Sequence, residues 1–120
     1  MESLIEEYGN GYKILREAIE GLSEEELRFK PALDKWSIHQ ILIHMSDSEM
    51  VSTQRLKKVL SEEEPLLMSI DQDAWANALG YEQLDREQYL LLFQLLRSSM
   101  LPILAQLTSE QFERVGKYAD

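Results

Sequence analysis

The chain has no cysteine. That excludes disulfides, a thiol nucleophile and thiolate metal sites. Its 5 glycines are isolated, so no glycine-rich loop exists to cradle a nucleotide phosphate. Basic residues are in deficit, 12 against 22 acidic ones, for a net charge of −10. With no offsetting basic patch, such a surface repels a phosphate backbone, and no nucleic-acid partner is expected. No apolar run is read as long enough to span a bilayer. Met1-Glu2-Ser3 opens no basic n-region of a signal peptide. The expectation is a cytoplasmic protein without a membrane partner. Strand alternation is also lacking, which leaves an all-α chain. Its 120 residues suit one domain spanning 1–120.

The most informative stretch is Trp36-Ser37-Ile38-His39-Gln40-Ile41-Leu42-Ile43-His44-Met45-Ser46-Asp47-Ser48-Glu49. Ser37 and Gln40 have the spacing of a capping box, and Trp36 stands where a hydrophobic staple belongs. A long helix from Ile38 to about Leu60 follows. Ile38, Ile41, Leu42, Met45, Leu56, Val59 and Leu60 recur at helical spacing, with Ser52 among them. Glu49 points into that stripe, and His44 flanks it.

The rest reads as helices with clear punctuation. An i, i+3, i+4 stripe over Ser3 to Glu20 predicts one long first helix, weakened at Gly9 and Gly11. Those glycines mark either a close helix approach or a tolerated weak spot. Gly21 ends the helix, and Ser23 with Glu26 boxes a short one through Leu27 and Arg28. Asp71 caps a short helix from Gln72 to Leu79, with Trp75 as its buried contact, and Gly80 closes it. Asp85 with Gln88 resembles a further capping box and starts the third long helix. Tyr89, Leu92, Phe93, Leu96, Met100, Ile103, Leu104 and Leu107 form its main face. Leu91, Leu95 and Pro102 lie opposite, Leu90 and Leu101 on a flank, and Pro102 should kink it. A helix apolar nearly all round is normally buried all round. Thr108 with Gln111 caps a last turn holding Phe112, and Gly116 ends it.

Candidate chemistry is sparse. His39 and His44 are five apart, ~140° around a helix, so they cannot chelate one ion together. His39 is expected to face solvent. His44 taken alone reads as a satisfied or exposed histidine. Asp47 and Ser48, at i+3 and i+4, either orient its ring or form a polar helix edge. Glu49 reads as the acid of an ion pair with Arg97 or Arg16, or as a general base in need of a pocket.

The stretch from Trp36-Ser37-Ile38 to His44-Met45-Ser46-Asp47-Ser48-Glu49 resembles the signature of the DinB/YfiT-like superfamily. Further likeness comes from Asp71-Gln72-Asp73-Ala74-Trp75-Ala76, Leu95-Leu96-Arg97 and Phe112-Glu113-Arg114-Val115-Gly116-Lys117. The resemblance implies an antiparallel four-helix-bundle fold and kinship with metal-dependent thiol S-transferases and hydrolases. It implies a divalent ion, zinc or nickel, held by histidines, the first of which matches His44. Members take the other two from a fourth helix. No residue here matches those, and Tyr118 stands where relatives often show a histidine after Gly-Lys. The expectation is therefore a bundle with three long helices and the fourth missing, and an incomplete metal site. A small-molecule thiol would be the substrate class. The alternative is a non-enzymatic interaction domain, a homodimer closed through the groove left by the missing helix.

Overall fold

A computed structural model of the chain describes residues 2–113. Every element among them is helical. In order they are α1 (Glu2–Gly9), α2 (Gly11–Ile19), α3 (Glu24–Arg28), α4 (Ile38–Ser61), α5 (Gln72–Ala78), a 3-10 turn (Tyr81–Gln83) and α6 (Arg86–Ala105). A short helical turn follows over 109–113. Gly116 and Tyr118 lie outside the described residues.

The local punctuation forms as the residue types dictate. Ser37 accepts a hydrogen bond from the Gln40 amide at 3.1 Å, and the Gln40 side chain accepts one from the Ser37 amide at 2.9 Å. Ser23 with Glu26 repeats this reciprocal cap, and so does Thr108 with Gln111. Each box satisfies amide groups that a helix start leaves without partners. Gly21 and Gly80 take positive φ, where a side chain would be strained. Asp85 departs from expectation. It caps α6 by accepting from the Glu87 amide at 2.9 Å, not through a box with Gln88. An Asp side chain reaches the second amide of the helix without help from the third residue, Gln88.

The first helix is not continuous. Asn10, with φ −87° and ψ 1°, separates α1 from α2. Four helices of eight residues or more are therefore present among the described residues, where three were expected. The glycines on either side of Asn10 lower the cost of leaving helical geometry. The break lets α1 and α2 each pack on α6.

The central interface joins α4 to α6. Leu42, Ile43 and Val59 are buried from α4; Leu90, Phe93, Met100 and Leu104 are buried from α6. Leu90, expected on a flank, is fully buried, whereas Leu92, expected on the main face, is more than a third exposed. The α4 stripe is also shifted. Ile41 is exposed, and the buried residues run through Leu42, Ser46, Glu49 and Thr53 on one row and His39, Ile43 and Asp47 on another. The first row faces α6, and Tyr8 of α1 reaches it at Glu49. The second faces Tyr81, which with Ile43 and Ala76 forms a core cluster walled by Trp36, Trp75, Leu84 and Tyr89. Trp75 is half-buried there rather than sealed.

The helix α6 runs through Pro102 to Ala105. By length and composition it could cross a membrane, which corrects the expectation that no stretch could. In this fold its inner row packs on α4, and Arg97 near its middle is ion-paired. The expectation of burial all round also fails, because Leu91 is 50% and Leu95 57% exposed.

Candidate functional site

His44 sits two turns into α4, half-buried. The Trp36 ring meets it edge-on, with centroids 5.1 Å apart and planes at 70°. Ser48, one turn on, lies 3.3 Å from Nε2 through its hydroxyl. The other ring nitrogen, Nδ1, is buried with no hydrogen-bond partner among the described residues. A neutral imidazole offers one donor and one acceptor, and leaving either buried and unpaired costs ~1–3 kcal/mol. His44 is thus held by an edge-on aromatic wall and one hydroxyl, with one nitrogen uncommitted.

The neighbouring carboxylates are committed. The Tyr81 hydroxyl donates to Asp47 Oδ2 at 2.6 Å. Burial, and then this bond to Asp47, push the Tyr81 phenol well above its usual range, so it remains a donor. Glu49 is 6% exposed and is the acid of the expected ion pair. Its Oε1 accepts from the Tyr8 hydroxyl at 2.8 Å and lies 2.8 Å from Arg97 Nε. The Nε approach is out of line with its N–H, so that contact is charge pairing rather than an aligned hydrogen bond. Burial, and then Glu49, also raise the Tyr8 phenol.

Arg97 is fixed from several sides. Its Nη1 donates to the Tyr8 carbonyl at 2.9 Å, and its guanidinium lies 4.1 Å from the Tyr8 ring centroid. A Cβ placed on Gly11 would stand 2.9 Å from that Nη1. Gly11 is therefore a close approach, one of the two readings open from sequence. Gly9 is not comparable, since a Cβ there would meet only Leu101 at ordinary contact distance, 3.4 Å. Arg16, the other candidate partner for Glu49, instead pairs with Glu87 at 2.6 Å.

His39 overturns its expectation. It is 1% exposed rather than solvent-facing. Nε2–H donates to the Tyr81 carbonyl at 3.0 Å, and Nδ1 accepts from Arg86 Nη1 at 2.8 Å. With both nitrogens so used, the ring is neutral and protonated on Nε2. Burial, and then the Arg28 charge, lower its pKa; the Tyr81 carbonyl bond pulls the other way, and the Arg86 charge adds a smaller lowering. Arg86 also pairs with Glu24, which Arg28 bonds in turn, so α3, α4 and α6 meet at this point. No spacing within the first turn of α4 signals this, because the partners lie more than forty residues away.

These positions decide what the arrangement can do. Among the described residues no group of three or more His, Cys, Asp or Glu side chains could hold a metal ion. His44, with a free nitrogen, suits one ligand position. Asp47 and Glu49, the carboxylates nearest in sequence, are turned away to Tyr81 and Arg97. A tight site takes about three protein ligands, so the described residues do not by themselves fit a bound ion. Glu49, held by Tyr8 and Arg97, is a structural acid rather than a base facing a pocket.

An all-helical bundle whose longest helix, α4, opens after Trp-Ser and carries the half-buried His44 defines the class. The chain belongs to the DinB superfamily, whose model matches residues 8–120. It is 31% identical over 105 residues to a protein of Bacillus licheniformis named a "Putative metal-dependent hydrolase", covering 88% of this chain and 60% of that one. It is 31% identical over 100 residues to Bacillus subtilis YfiT, which carries the same description, covering 83% of this chain and 56% of the relative. The solved structure of YfiT, titled as having an unusual four-helix bundle topology, superposes with a TM-score of 0.84 at 28% identity. That match covers 92% of this chain and 63% of YfiT. The chain thus spans about three-fifths of the length of the relatives it matches.

Proposed function

We propose that this chain carries one ligand, His44, of a divalent-metal site of the hydrolase or thiol S-transferase type, and that its other described residues leave the site incomplete. The observation that carries this is the uncommitted Nδ1 of His44 beside two carboxylates already bound elsewhere. The relatives' names attach a metal to their activity, and zinc or nickel is the ion class proposed here. The substrate class is a small thiol together with the molecule it attacks. The proposed setting is the cytoplasm.

The test has two readouts. Elemental analysis of the dialysed 120-residue chain should find little metal, and thiol-transferase assays should show no turnover. Nickel titration followed by NMR should broaden the His44 imidazole signals first and leave His39 sharp. Near-stoichiometric zinc or nickel that disappears in His44→Ala would overturn the incomplete site. Unchanged His44 signals at saturating nickel would remove His44 as a ligand.

A second, non-enzymatic reading is favoured by the exposed Leu91, Leu92 and Leu95 on α6. This row is free of charge on a chain of net charge −10, so two copies could meet there with little repulsion. Sedimentation at micromolar concentration should then give a homodimer that Leu91→Lys or Leu95→Lys dissolves. A clean monomer that binds no hydrophobic dye refutes it.

A further inference from the structure

A cleft of about 530 Å³ lies between α4 and the segment leading into α5. Met50, Val51 and Gln54 form one wall; Met68, Ile70 and Trp75 form the other. The volume falls within the range of small-molecule sites, ~300–1,000 Å³. Its second wall is anchored, because Arg55 donates both Nε and an Nη to the Met68 carbonyl, with Nε at 2.9 Å. Asp71 fixes the entry to α5 by accepting from the Ala74 amide at 3.1 Å. The cleft therefore has one helical side and one side clamped at two points.

We infer that this cleft binds the uncharged apolar end of a small molecule whose polar end extends along α4 toward His44. Three features select that ligand. The lining is apolar and soft, with two methionine thioethers and an indole that adapt to alkyl or aryl groups. The lining holds no basic side chain, its one carboxylate, Asp71, is used as a cap, and the nearby Arg55 guanidinium is committed to the Met68 carbonyl, so the lining itself offers an anion no charge partner. Gln54 and Ser69 in the lining can take a hydroxyl or an amide. The location supplies the rest. Val51 is seven residues beyond His44, two helical turns, hence on the same face of α4 and ~10.5 Å along it. Ser48, which touches His44, lies on that face between them.

As a substrate subsite the cleft rests on the reading of His44 given above, but its occupancy does not. The probe is 1-hexanol, with hexanoate as the charged control, followed on methionine methyl and tryptophan indole NMR signals. Saturable shifts should appear at Met50, Met68 and Trp75, with a Kd on the order of millimolar for so small a ligand. Hexanoate should bind more weakly. Met68→Asp, at an exposed position that folding tolerates, should weaken 1-hexanol about tenfold, the worth of one apolar side chain. His44→Ala should leave 1-hexanol binding unchanged, so a failure of the metal reading would not imitate a failure of this one. Non-saturating shifts, or shifts centred on Leu91 and Leu95, overturn the proposal. So does a concentration-dependent shift at Met68 without any alcohol, which would give the cleft to a second copy of the chain.

Discussion

The Arg97–Glu49 pair offers the sharpest test of the packing, because its two halves are unequal. The Arg97 side chain is 24% exposed and that of Glu49 only 7%. Replacing Arg97 with alanine leaves a nearly sealed carboxylate with the Tyr8 hydroxyl as its remaining named partner. Removing one member of a buried pair costs ~3–5 kcal/mol, and the quarter exposure of Arg97 puts this case near ~3 kcal/mol. Glu49→Ala is milder. Arg97 keeps the Tyr8 carbonyl bond and its place over the Tyr8 and Phe93 rings, so the expected loss is ~2 kcal/mol. Gly11 adds a coupled prediction. Alanine there gains up to ~1 kcal/mol of helix propensity, but its Cβ would press on Arg97 Nη1 from 2.9 Å. Gly11→Ala should therefore destabilise the wild type and stabilise Arg97→Ala by ~0.5–1 kcal/mol. Urea melts of the wild type, the three single variants and the Gly11→Ala/Arg97→Ala double variant, compared at constant m-value, measure the differences. Losses below ~1 kcal/mol for both Arg97→Ala and Glu49→Ala would mean the pair is not buried. Equal effects of Gly11→Ala in both backgrounds would refute the close approach.

Two further predictions come from the start of α4. The His39 pKa is lowered on folding from an unfolded value of ~6.5. Between the two values the unfolded chain holds the extra proton, so stability is full above about pH 6.5 and is lost as pH falls through the folded value. This loss begins above the carboxylate range, where Glu24, held down to about 2 by Arg86 and then Arg28, would begin to matter. His39→Gln should remove the decline that sets in below about pH 6.5 in urea midpoints; an unchanged decline would place the proton elsewhere. Ser37→Ala should cost ~1–2 kcal/mol, more than Ser23→Ala, because the Ser37 box is buried and water cannot replace the lost bond. Equal melting shifts for the two variants would contradict this.

The features legible in one dimension are those whose partners lie within a turn. The boxes at Ser23, Ser37 and Thr108 and the Asp71 cap join atoms three residues apart, and the left-handed glycines 21 and 80 are a matter of their own backbone. Residue type decides such contacts, so spacing alone located them and, with them, the ends of α3, α4 and α5. The apolar periods likewise specified an all-helical chain, and the Trp36-to-Glu49 motif carried the family. That Glu49 needs a cation was readable as well, since an acid within an apolar stripe demands one.

Which cation, and which face of α4 is inside, depended on tertiary structure. Arg97 wins over Arg16 because the α1–α6 crossing puts it beside Tyr8, while Arg16 stands opposite Glu87. The shift of the α4 stripe has the same origin. A periodicity reading assumes one buried face, but α4 is covered by α6, with Tyr8 reaching in from α1, on one side and by Tyr81 on another, so polar residues on both rows are enclosed. His39 is buried, and fixed as a neutral ring, by a carbonyl 42 residues away and an arginine 47 away. Asp47 is taken from the neighbourhood of His44 by a hydroxyl 34 residues away. Local chemistry along the chain determined the ends of α3, α4 and α5, though not the break between α1 and α2. The choice of partner for each buried charge was made by helix packing, because desolvation and pairing act through space rather than along the sequence.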